Sequence, residues 1–228
     1  MSTGFSLLLF AAGRGTRMGA LGDQIPKCLI KVAGKTLLDH ALALTKSQAI
    51  TRRVANLHYK SDMIKRHLVG QDIAFSHEVD RPLETGGGLR LALPMLGDGP
   101  VVTLNTDAVW SDTTALDVLA TAWRPHMDGL MVLVPQDRAI GHLGQGDFAM
   151  DTQGKLQRGQ GYIYTGLQIV RTDLLCEIEE DVFSLNKLWD RFLAKETLFG
   201  VVYDGQWCDV GQPQSIQLAQ DMLERSHV

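Results

Sequence analysis

The sequence predicts an α/β fold, doubly wound around a mostly parallel mixed sheet, with a partly antiparallel C-terminal portion. Three observations support this prediction. Apolar runs of strand length without polar alternation are typical of strands buried on both faces. Segments with helical spacing follow these runs in turn, as in doubly wound sheets. In the second half of the chain, a hairpin pattern replaces the alternation.

The first half of the chain carries the alternation. We expect strands over Leu7–Phe10, Val54–His58, Ile73–His77, Pro100–Leu104 and Leu130–Val134, with a short extended piece over Lys31–Lys35. Thr36 and Ser61 are predicted N-caps, because a side-chain oxygen just before an apolar periodic segment satisfies free helix amides. Helices are predicted after Thr36, over Asp62–Leu68, from Leu83 to Leu96 and over Leu116–Trp123.

The second half mixes a hairpin with further strands and helices. Asp147–Met150 and Leu156 flank an Asp-Thr-Gln-Gly turn, which indicates a hairpin. We expect strands over Tyr162–Val170 and Leu198–Tyr203, a helix over Leu185–Lys195, a loop over Trp207–Gly211 and a closing helix with Pro213 in its first turn. Because no linker or internal repeat interrupts the chain, we expect a single domain over residues 1–228.

The charge pattern indicates a specific anion site in an acidic protein. The formal net charge of −4 argues against a nucleic-acid partner, which would need a basic face. Between Ala11 and Lys35, however, a single acid, Asp23, is found among five cations: Arg14, Arg17, Lys27, Lys31 and Lys35. This cationic segment therefore predicts that the ligand is a particular anion.

Cysteine content and hydropathy indicate the cellular compartment of the protein. The three cysteines, Cys28, Cys176 and Cys208, are odd in number and far apart, which argues against a disulfide framework and against zinc spacing. The N-terminal apolar run is too short for a signal peptide, and no segment approaches the ~20 apolar residues of a membrane span. We therefore expect a cytoplasmic protein without a membrane partner.

The anion site is predicted where the first strand ends. In Leu9-Phe-Ala-Ala-Gly-Arg-Gly-Thr-Arg-Met18, an apolar strand leads into a turn with two glycines, which lets the backbone approach an anionic ligand. The turn is not a dinucleotide fingerprint, because Met18 takes the place of the third glycine, and no Walker A Gly-Lys-Ser/Thr follows. Taken alone, the glycine pair is equally compatible with a tight turn that carries exposed arginines.

With Pro26-Lys27, this stretch resembles the signature of nucleotidyltransferases that join a sugar 1-phosphate to a nucleotide. The chain departs from that signature at Phe10 and Cys28, and neither departure removes a chemical group. The resemblance implies a Rossmann-like nucleotidyltransferase fold, with a nucleoside triphosphate and a sugar 1-phosphate as partners. It also implies catalytic roles for Arg17 and Lys27, and nucleotide binding by five loop residues: Ala11, Ala12, Gly13, Gly15 and Thr16.

Two acidic residues resemble the metal ligands of this family. Asp107 follows a predicted strand in Asn105-Thr-Asp107, and Asp209 lies in Trp207-Cys-Asp-Val-Gly211, which resembles the family's W-x-D-V-G-T motif. Mg²⁺ takes one or two protein carboxylates together with phosphate oxygens. The resemblance thus implies a Mg²⁺ cofactor held by Asp107 and Asp209. A lone Asp after a strand is more often a cap or turn residue, and Asp112 is an alternative ligand.

Leu83-Glu-Thr-Gly-Gly-Gly88 resembles a motif of one subgroup, the N-acetylmuramate 1-phosphate uridylyltransferases. The resemblance implies that residues 1–125 mainly bind the nucleotide, with base and ribose contacts from Glu84, Thr85, Gly86, Gly87 and Asn105. Residues 126–228 are expected mainly to bind the sugar, through Asp147, Thr165, Gly166 and Lys187. A strand kink explains Thr165-Gly166 equally well, and Arg158 is an alternative to Lys187 for the sugar phosphate.

The sequence therefore predicts a Mg²⁺-dependent uridylyltransferase that acts on N-acetylmuramate 1-phosphate in cell-wall peptidoglycan recycling. Another pair, such as GTP with mannose or heptose 1-phosphate, stays open, because a glycine-rich base site contacts the base mainly through backbone. A catalytically idle nucleotide-binding regulatory protein is disfavoured, because all four proposed catalytic and metal-binding side chains are present. Met18 disfavours an NAD-dependent oxidoreductase. The sequence does not indicate an oligomeric state.

Overall fold

The computed structural model describes residues 4–226 and contains a mixed, nine-stranded sheet with two smaller sheets. The strands are β1 (Phe5–Phe10), β2 (Lys31–Val32), β3 (Lys35–Thr36), β4 (Ile50–Leu57), β5 (Ala74–His77), β6 (Val101–Asn105), β7 (Ala108–Trp110), β8 (Gly129–Pro135), β9 (Ala139–Ile140), β10 (Phe148–Met150), β11 (Leu156–Arg158), β12 (Tyr162–Val170), β13 (Leu198–Val202) and β14 (Trp207–Asp209). The helices are α1 (Ala20–Gln24), α2 (Leu37–Leu44), α3 (Ser61–His67), α4 (Glu84–Leu96), α5 (Ala115–Ala122), α6 (Asn186–Ala194) and α7 (Gln214–Ser226).

The large sheet is mostly parallel, as the sequence predicts. Strands β5, β4, β1 and β6 lie side by side and run in the same direction. Strand β12 pairs antiparallel with β6 and with β8, and β13 pairs parallel with β8. The predicted hairpin forms as the antiparallel pair β10 and β11 at the sheet edge. The antiparallel contribution thus comes from the second half of the chain, as expected.

The apolar run of β1 shows why the sheet is covered on both faces. Leu7, Leu8 and Leu9 are all fully buried, although successive side chains of a strand point to opposite faces. Leu7 and Leu9 join one core cluster, with side chains from α2, α3 and α5, while Leu8 joins a second cluster with side chains from α4 and α6. This arrangement is the doubly wound fold, and it explains the lack of polar alternation in the strand.

Of the two predicted N-caps, the structure confirms Thr36 and not Ser61. Thr36 caps α2 in a capping box, since its hydroxyl accepts a hydrogen bond from the Asp39 amide and the Asp39 carboxylate accepts one from the Thr36 amide. The Ser61 prediction is wrong, because Ser61 is already the first helical residue of α3. The N-cap there is Lys60, in a left-handed conformation with φ 48°.

The expected loop over Trp207–Gly211 is wrong for its first three residues, which form β14. This strand pairs antiparallel with β7 and parallel with β9 in a small three-stranded sheet. Strands β7 and β9 were not predicted, because segments of two or three residues are too short to show a period. Helix α7 packs on this small sheet through a third apolar cluster that includes Val109, Cys208 and Val210.

The three glycines at the start of α4 make close packing contacts. The amides of Gly86 and Gly87 both donate to the carbonyl oxygen of Phe183, at 2.9 and 3.1 Å. A Cβ at Gly86 would overlap the Phe183 ring, and a Cβ at Gly87 would overlap a backbone carbonyl. A Cβ at Gly88 would lie 2.7 Å from the side chains of Asn56 and Glu78. These approaches explain why glycine is present despite its cost inside a helix.

Gly86→Ala should destabilise the protein, because the added methyl group overpacks the contact with Phe183. Overpacking costs about 1–3 kcal/mol, which exceeds the gain of up to about 1 kcal/mol of alanine over glycine in a helix. Urea unfolding measures the difference. Gly159→Ala is the control, since the nearest atom to its Cβ would be that of Ala149 at 3.8 Å. A Gly86→Ala variant as stable as the wild type would contradict this account.

No helix in the described residues 4–226 has both the length and the apolar character needed to cross a membrane.

Candidate functional site

The carboxyl ends of β1, β4, β5 and β6 meet at one edge of the large sheet, where parallel strands place ligand sites. A cavity of about 400 Å³ opens at this edge. It is lined by the residues that follow these four strands, by the end of the N-terminal loop and by the start of α4: Phe10, Ala11, Ala12, Gly13, Arg14, Lys27, Cys28, Asn56, His58, Glu78, Pro82, Glu84, Thr85, Asn105, Thr106 and Asp107. The structure thus brings together most of the side chains that the sequence assigned to the nucleotide.

The N-terminal loop turns sharply against the stem of Lys27. Gly15 has φ 66°, and a Cβ there would lie 2.7 Å from Cβ of Lys27. Thr16–Met18 then forms a single 3₁₀ turn, in which Met18 is buried against the third apolar cluster. Gly15 is therefore required both by its backbone conformation and by the close approach. Gly13 and Arg14 line the cavity, whereas Gly15 and Thr16 are not among its lining residues.

Lys27 lies between two carboxylates. Its Nζ is 2.7 Å from Oδ2 of Asp107 and 4.0 Å from Oδ1 of Asp209. The Lys27 side chain is only 11% exposed, whereas those of Asp107 and Asp209 are 32% and 39% exposed. Because a buried ammonium needs a paired charge, these three residues form one electrostatic unit at the cavity.

The small sheet explains how two aspartates 102 positions apart in the sequence meet. Strand β7 begins at Ala108, directly after Asp107, and its antiparallel register sets Ala108 opposite Asp209. The amide of Val210 also donates to the carbonyl oxygen of Asp107, at 2.9 Å. The sequence prediction of a paired carboxylate site therefore agrees with this geometry, although the strand that produces it was expected to be a loop.

Burial raises the pKa of Asp209, and the nearby charge of Asp107 raises it further, against the opposing charge of Lys27. Carboxylate oxygens are among the ligands that Mg²⁺ prefers. Within residues 4–226, no group of three or more His, Cys, Asp or Glu side chains is placed to hold a metal. The two carboxylates that could hold a divalent cation beside the cavity are those of Asp107 and Asp209.

Arg17 lies on the same side of the site as Asp209. A Cβ at Gly211 would lie 3.4 Å from Nη1 of Arg17 and 2.7 Å from Oδ2 of Asp209. The Arg17 charge also lowers the pKa of Asp209, in opposition to the burial described above. Arg14 instead packs over the ring of Tyr59, with 5.4 Å from its Cζ to the ring centroid. Of the two loop arginines, Arg17 is the one near the carboxylate pair.

Asn56 and Glu78 form a buried link that the sequence reasoning missed. Oδ1 of Asn56 accepts hydrogen bonds from the amides of Ala11 and Ala12, at 2.8 and 3.3 Å, and its Nδ2 donates to Oε1 of Glu78 at 2.7 Å. Oε2 of Glu78 accepts from the Leu83 amide at 2.8 Å. Burial raises the pKa of Glu78. The link ties the N-terminal loop to the start of α4. The sequence signal was a polar residue at the end of each of two apolar strands.

The proposed sugar residues lie at the break in β12. The pairing of β12 with β8 is irregular between Tyr164 and Gln168, and Gly166 has φ 84°, with its Cα against the Asn105 side chain. This geometry agrees with the strand-kink alternative. The Thr165 hydroxyl is buried and donates to the Val132 carbonyl at 2.7 Å, so its side chain is unavailable to a sugar. Asp147 is exposed, and its Oδ2 accepts from the Tyr164 amide at 2.8 Å.

Neither proposed cation for the sugar phosphate lies in the cavity. Lys187 pairs with Glu180 on an outer surface next to Arg191, so the structure does not support its expected role. Arg158 pairs with Asp190 at 2.9 Å and packs over the rings of Phe148 and Trp189. Both side chains are therefore engaged in local ion pairs. The alternative ligand Asp112 caps the following turn through the Thr114 amide and hydroxyl, which lowers its pKa.

Two further side chains, those of His142 and Cys28, lie near the site. The β9–β14 register aligns Ile140 with Cys208, so His142 follows its strand alongside Asp209, and a charged His142 would lower the Asp209 pKa. No histidine cluster in the sequence identifies His142. Cys28 lines the cavity, but burial raises its pKa to about 12, so the thiol stays protonated and is not a nucleophile.

Comparisons with known proteins identify the family of this chain. Residues 7–205 match the family model described as the MobA-like NTP transferase domain, which covers most of the chain. The chain belongs to the MobA-like NTP transferase family. This match confirms the nucleotidyltransferase family that the N-terminal signature predicts.

Relatives of this NTP transferase include two N-acetylmuramate alpha-1-phosphate uridylyltransferases. The one from Caulobacter vibrioides is 35% identical, over 95% of this chain and 96% of its own length. The one from Neisseria meningitidis serogroup B is 31% identical, over 93% of this chain and 96% of its own length. A putative glucose-1-phosphate thymidylyltransferase from Bacillus anthracis superimposes with a TM-score of 0.79 at 17% identity, covering 96% of this chain and 94% of its own, which confirms the fold.

In this NTP transferase, Asn56→Ala should weaken both stability and nucleotide binding. The change leaves the Ala11 amide and Oε1 of Glu78 buried without their partner, which costs about 1–3 kcal/mol of unfolding free energy. The loosened loop should also raise KM for the nucleotide more than it changes kcat. Urea unfolding and steady-state kinetics measure the two effects, with the exposed Gln157→Ala as control. Unchanged stability would show that the link does not hold the loop.

Proposed function

We propose that this NTP transferase transfers a uridylyl group from UTP to N-acetylmuramate 1-phosphate and releases pyrophosphate. The observation that carries the proposal is the position of Lys27 between Asp107 and Asp209, beside the glycine loop and the cavity. This cluster supplies both signs of charge that a phosphoryl centre and its cation require. The choice of base and sugar is supported by the two relatives, which are uridylyltransferases of that sugar phosphate by name.

The proposed reaction needs cations and positioning more than a general base. An oxygen of the sugar phosphate attacks the α-phosphorus, a new P–O bond forms, and the bond to the β-phosphate breaks, so that pyrophosphate leaves with its electron pair. The attacking oxygen is already anionic at pH 7, so no proton has to be removed. The barrier is charge repulsion, which is lowered by donors and cations aimed at the developing charge.

Four side chains and the loop amides together stabilise the charge that develops on the phosphates. Lys27 holds its ammonium next to the site of the α-phosphate, where charge builds up. Arg17 and the amides of the Gly13–Thr16 loop bind the leaving β- and γ-phosphates, because a glycine-rich loop leaves its N–H groups open to anions. Asp107 and Asp209 would hold a Mg²⁺ ion. That ion, when bound, would neutralise phosphate oxygens and orient them for in-line displacement.

The remaining assignments follow the two parts of the site. Residues 1–125 mainly bind the nucleotide, and residues 126–228 mainly bind the sugar, with Asp147 and the backbone at Gly166 closest to the break in β12. A UDP-activated N-acetylmuramate product would belong to peptidoglycan recycling. Three unpaired cysteines are typical of a reducing compartment, which supports a cytoplasmic reaction.

The direct test is pyrophosphate release over a matrix of four nucleoside triphosphates and several sugar 1-phosphates, with and without Mg²⁺. The proposal expects release with UTP and N-acetylmuramate 1-phosphate in Mg²⁺. Release only with GTP and mannose or heptose 1-phosphate would keep the chemistry and replace the substrate pair. Absence of release from every combination would instead favour a nucleotide-binding regulatory protein.

Lys27→Ala should lower kcat by about 10²–10³-fold, the usual cost of removing one donor to developing charge. The fold should survive, because the glycine loop and the small sheet hold the surrounding backbone. Circular dichroism and turnover measure these outcomes. Lys31→Ala is the matched control, since Lys31 belongs to the same cationic segment and is exposed. Comparable turnover in the two variants would remove Lys27 from the mechanism.

Asp209→Asn should lower the affinity for Mg²⁺, because an amide replaces one of the two carboxylates at the site. We expect at least about a tenfold loss in metal affinity, in line with the effect of removing a supporting metal-site group. Calorimetric Mg²⁺ titration in the presence of UTP gives a readout independent of turnover. The exposed Asp72→Asn variant is the control, and equal affinities in both variants would argue against the assignment.

A further inference from the structure

Helix α1 is too short to hold its own position beside the glycine loop. It has five residues, whereas isolated helices shorter than about 12–15 residues are marginal in water. Within α1, all of which the structure describes, Gly22 is the only buried residue, so apolar packing contributes little to its docking. The helix nevertheless lies between the glycine loop and Lys27, with two residues between its end and Lys27. Contacts from another part of the chain must therefore fix α1.

Tyr59 and Lys60, between β4 and α3, bind the carbonyl oxygens at the end of α1. The Lys60 ammonium donates to the carbonyl oxygens of Asp23 and Gln24, at 2.6 and 2.7 Å. The Tyr59 hydroxyl donates to the carbonyl oxygens of Gly22 and Asp23, each at 3.3 Å. The last carbonyl groups of a helix have no partner within it, and a cation there also offsets the negative end of the helix dipole. These two side chains, the α1 cap, thus bind the last three carbonyl groups of α1.

The backbone of Lys60 opposes its own side chain. Lys60, the N-cap of α3, has φ 48° and ψ 41°, in the left-handed region where a side chain is strained and glycine is not. Its ammonium is held by the two carbonyl oxygens and lies 5.3 Å from the centroid of the Tyr59 ring. Hydrogen bonds that involve a charged group are among the stronger ones in proteins. The contacts of the Lys60 ammonium therefore offset a strain that glycine would avoid.

Close contacts connect the α1 cap to the cations of the cavity. A Cβ at Gly22 would lie 2.5 Å from the Gly15 carbonyl oxygen, so α1 packs directly on the glycine loop. Gly15 in turn packs against the stem of Lys27. The Tyr59 ring also packs against the guanidinium of Arg14, which lines the cavity. The α1 cap is therefore connected to Lys27 through α1 and to Arg14 through the ring.

We propose that Tyr59 and Lys60 are positioning residues, which hold α1, and through it the glycine loop and Lys27, in the geometry that the transfer reaction needs. Neither side chain contacts the reacting atoms. A displacement of about 1 Å can cost about 100-fold in rate, so a loosened α1 lowers turnover while the fold is intact. Because Lys27 acts on charge that develops in the transition state, the loss falls on kcat more than on KM. The proposal rests on the proposed function for the role of Lys27.

Lys60→Gly separates the backbone of this position from its side chain. Glycine adopts the left-handed conformation without strain, so the fold is kept while both carbonyl contacts are lost. The hydrogen-bonded amides of residues 18–25 should exchange about 10- to 150-fold faster, which is the factor for one hydrogen bond to a charged group. The kcat value should fall by about 10- to 100-fold.

Two conservative variants grade the effect. Lys60→Arg keeps a cation with several donors at the end of α1, so exchange and kcat should stay near the wild-type values. Tyr59→Phe keeps the ring against Arg14 and loses only neutral hydrogen bonds, so exchange of the same amides should rise by about 2- to 12-fold. Ala33→Gly is the matched control, because Ala33 also has a left-handed backbone, with φ 47°, and its side chain has no donor.

The experiment combines hydrogen exchange read by mass spectrometry, thermal unfolding and steady-state kinetics of pyrophosphate release. Faster exchange confined to residues 18–25 in Lys60→Gly, with a kcat loss that is absent from Lys60→Arg and Ala33→Gly, supports the proposal. Exchange equal to that of the wild type overturns it, and so does faster exchange with an unchanged kcat. Faster exchange along the whole chain with a Tm below that of Ala33→Gly would show a general structural role and also overturns it.

A second readout keeps the test independent of the proposed function. If the wild type releases pyrophosphate with no sugar phosphate, the proposed function fails, and the rate at which an amine-acylating reagent labels Lys27 then decides. The Lys27 side chain is only 11% exposed, and a loosened α1 would expose it. Faster labelling of Lys27 in Lys60→Gly than in Ala33→Gly supports the positioning role, and equal rates overturn it.

Discussion

The contact between Lys27 and the carboxylates of Asp107 and Asp209 constrains most of the structure around the site. Two carboxylates held this close repel each other, and the nearly buried ammonium of Lys27 offsets that repulsion. The stem of Lys27 packs against Gly15, which limits that position to a residue without a side chain. The β7–β14 pairing then fixes the two aspartates relative to each other. The loop, the small sheet and the large sheet thus meet at one set of charges.

The second wall of the cavity is held by packing and buried hydrogen bonds. Asn56 and Glu78 connect the amides of Ala11 and Ala12 to the start of α4, so a shift of either element would break a buried polar contact. Gly86 and Gly87 let α4 approach the Phe183 segment closely enough for their amides to donate to the Phe183 carbonyl oxygen. The two walls therefore keep a fixed separation without any cation in the second wall, and this leaves it suited to an uncharged part of a ligand.

The strands of the large sheet and the residues at their ends could be predicted from sequence, because both depend on local patterns. Leu7–Leu9 shows its two-sided burial directly, and Asp107 follows a similar apolar strand. The role of the α4 glycines could not be predicted, since their contacts come from Phe183, nearly 100 positions later in the chain. The same applies to β14, whose three residues have no period and depend on β7 and β9. The role of Lys187 stays a prediction, because a motif match carries no information about which face of α6 a side chain occupies, and its ammonium pairs with Glu180.

The start of α4 shows how local preference and function can be distinguished within a few residues. Gly86 and Gly87 are explained by steric overlap, and a ligand adds nothing to that explanation. Glu84 differs from these glycines, because it is exposed and its backbone conformation, with φ 61°, favours glycine. Local stability would therefore place glycine at this position too. The left-handed conformation of Glu84 is therefore not explained by local backbone preference.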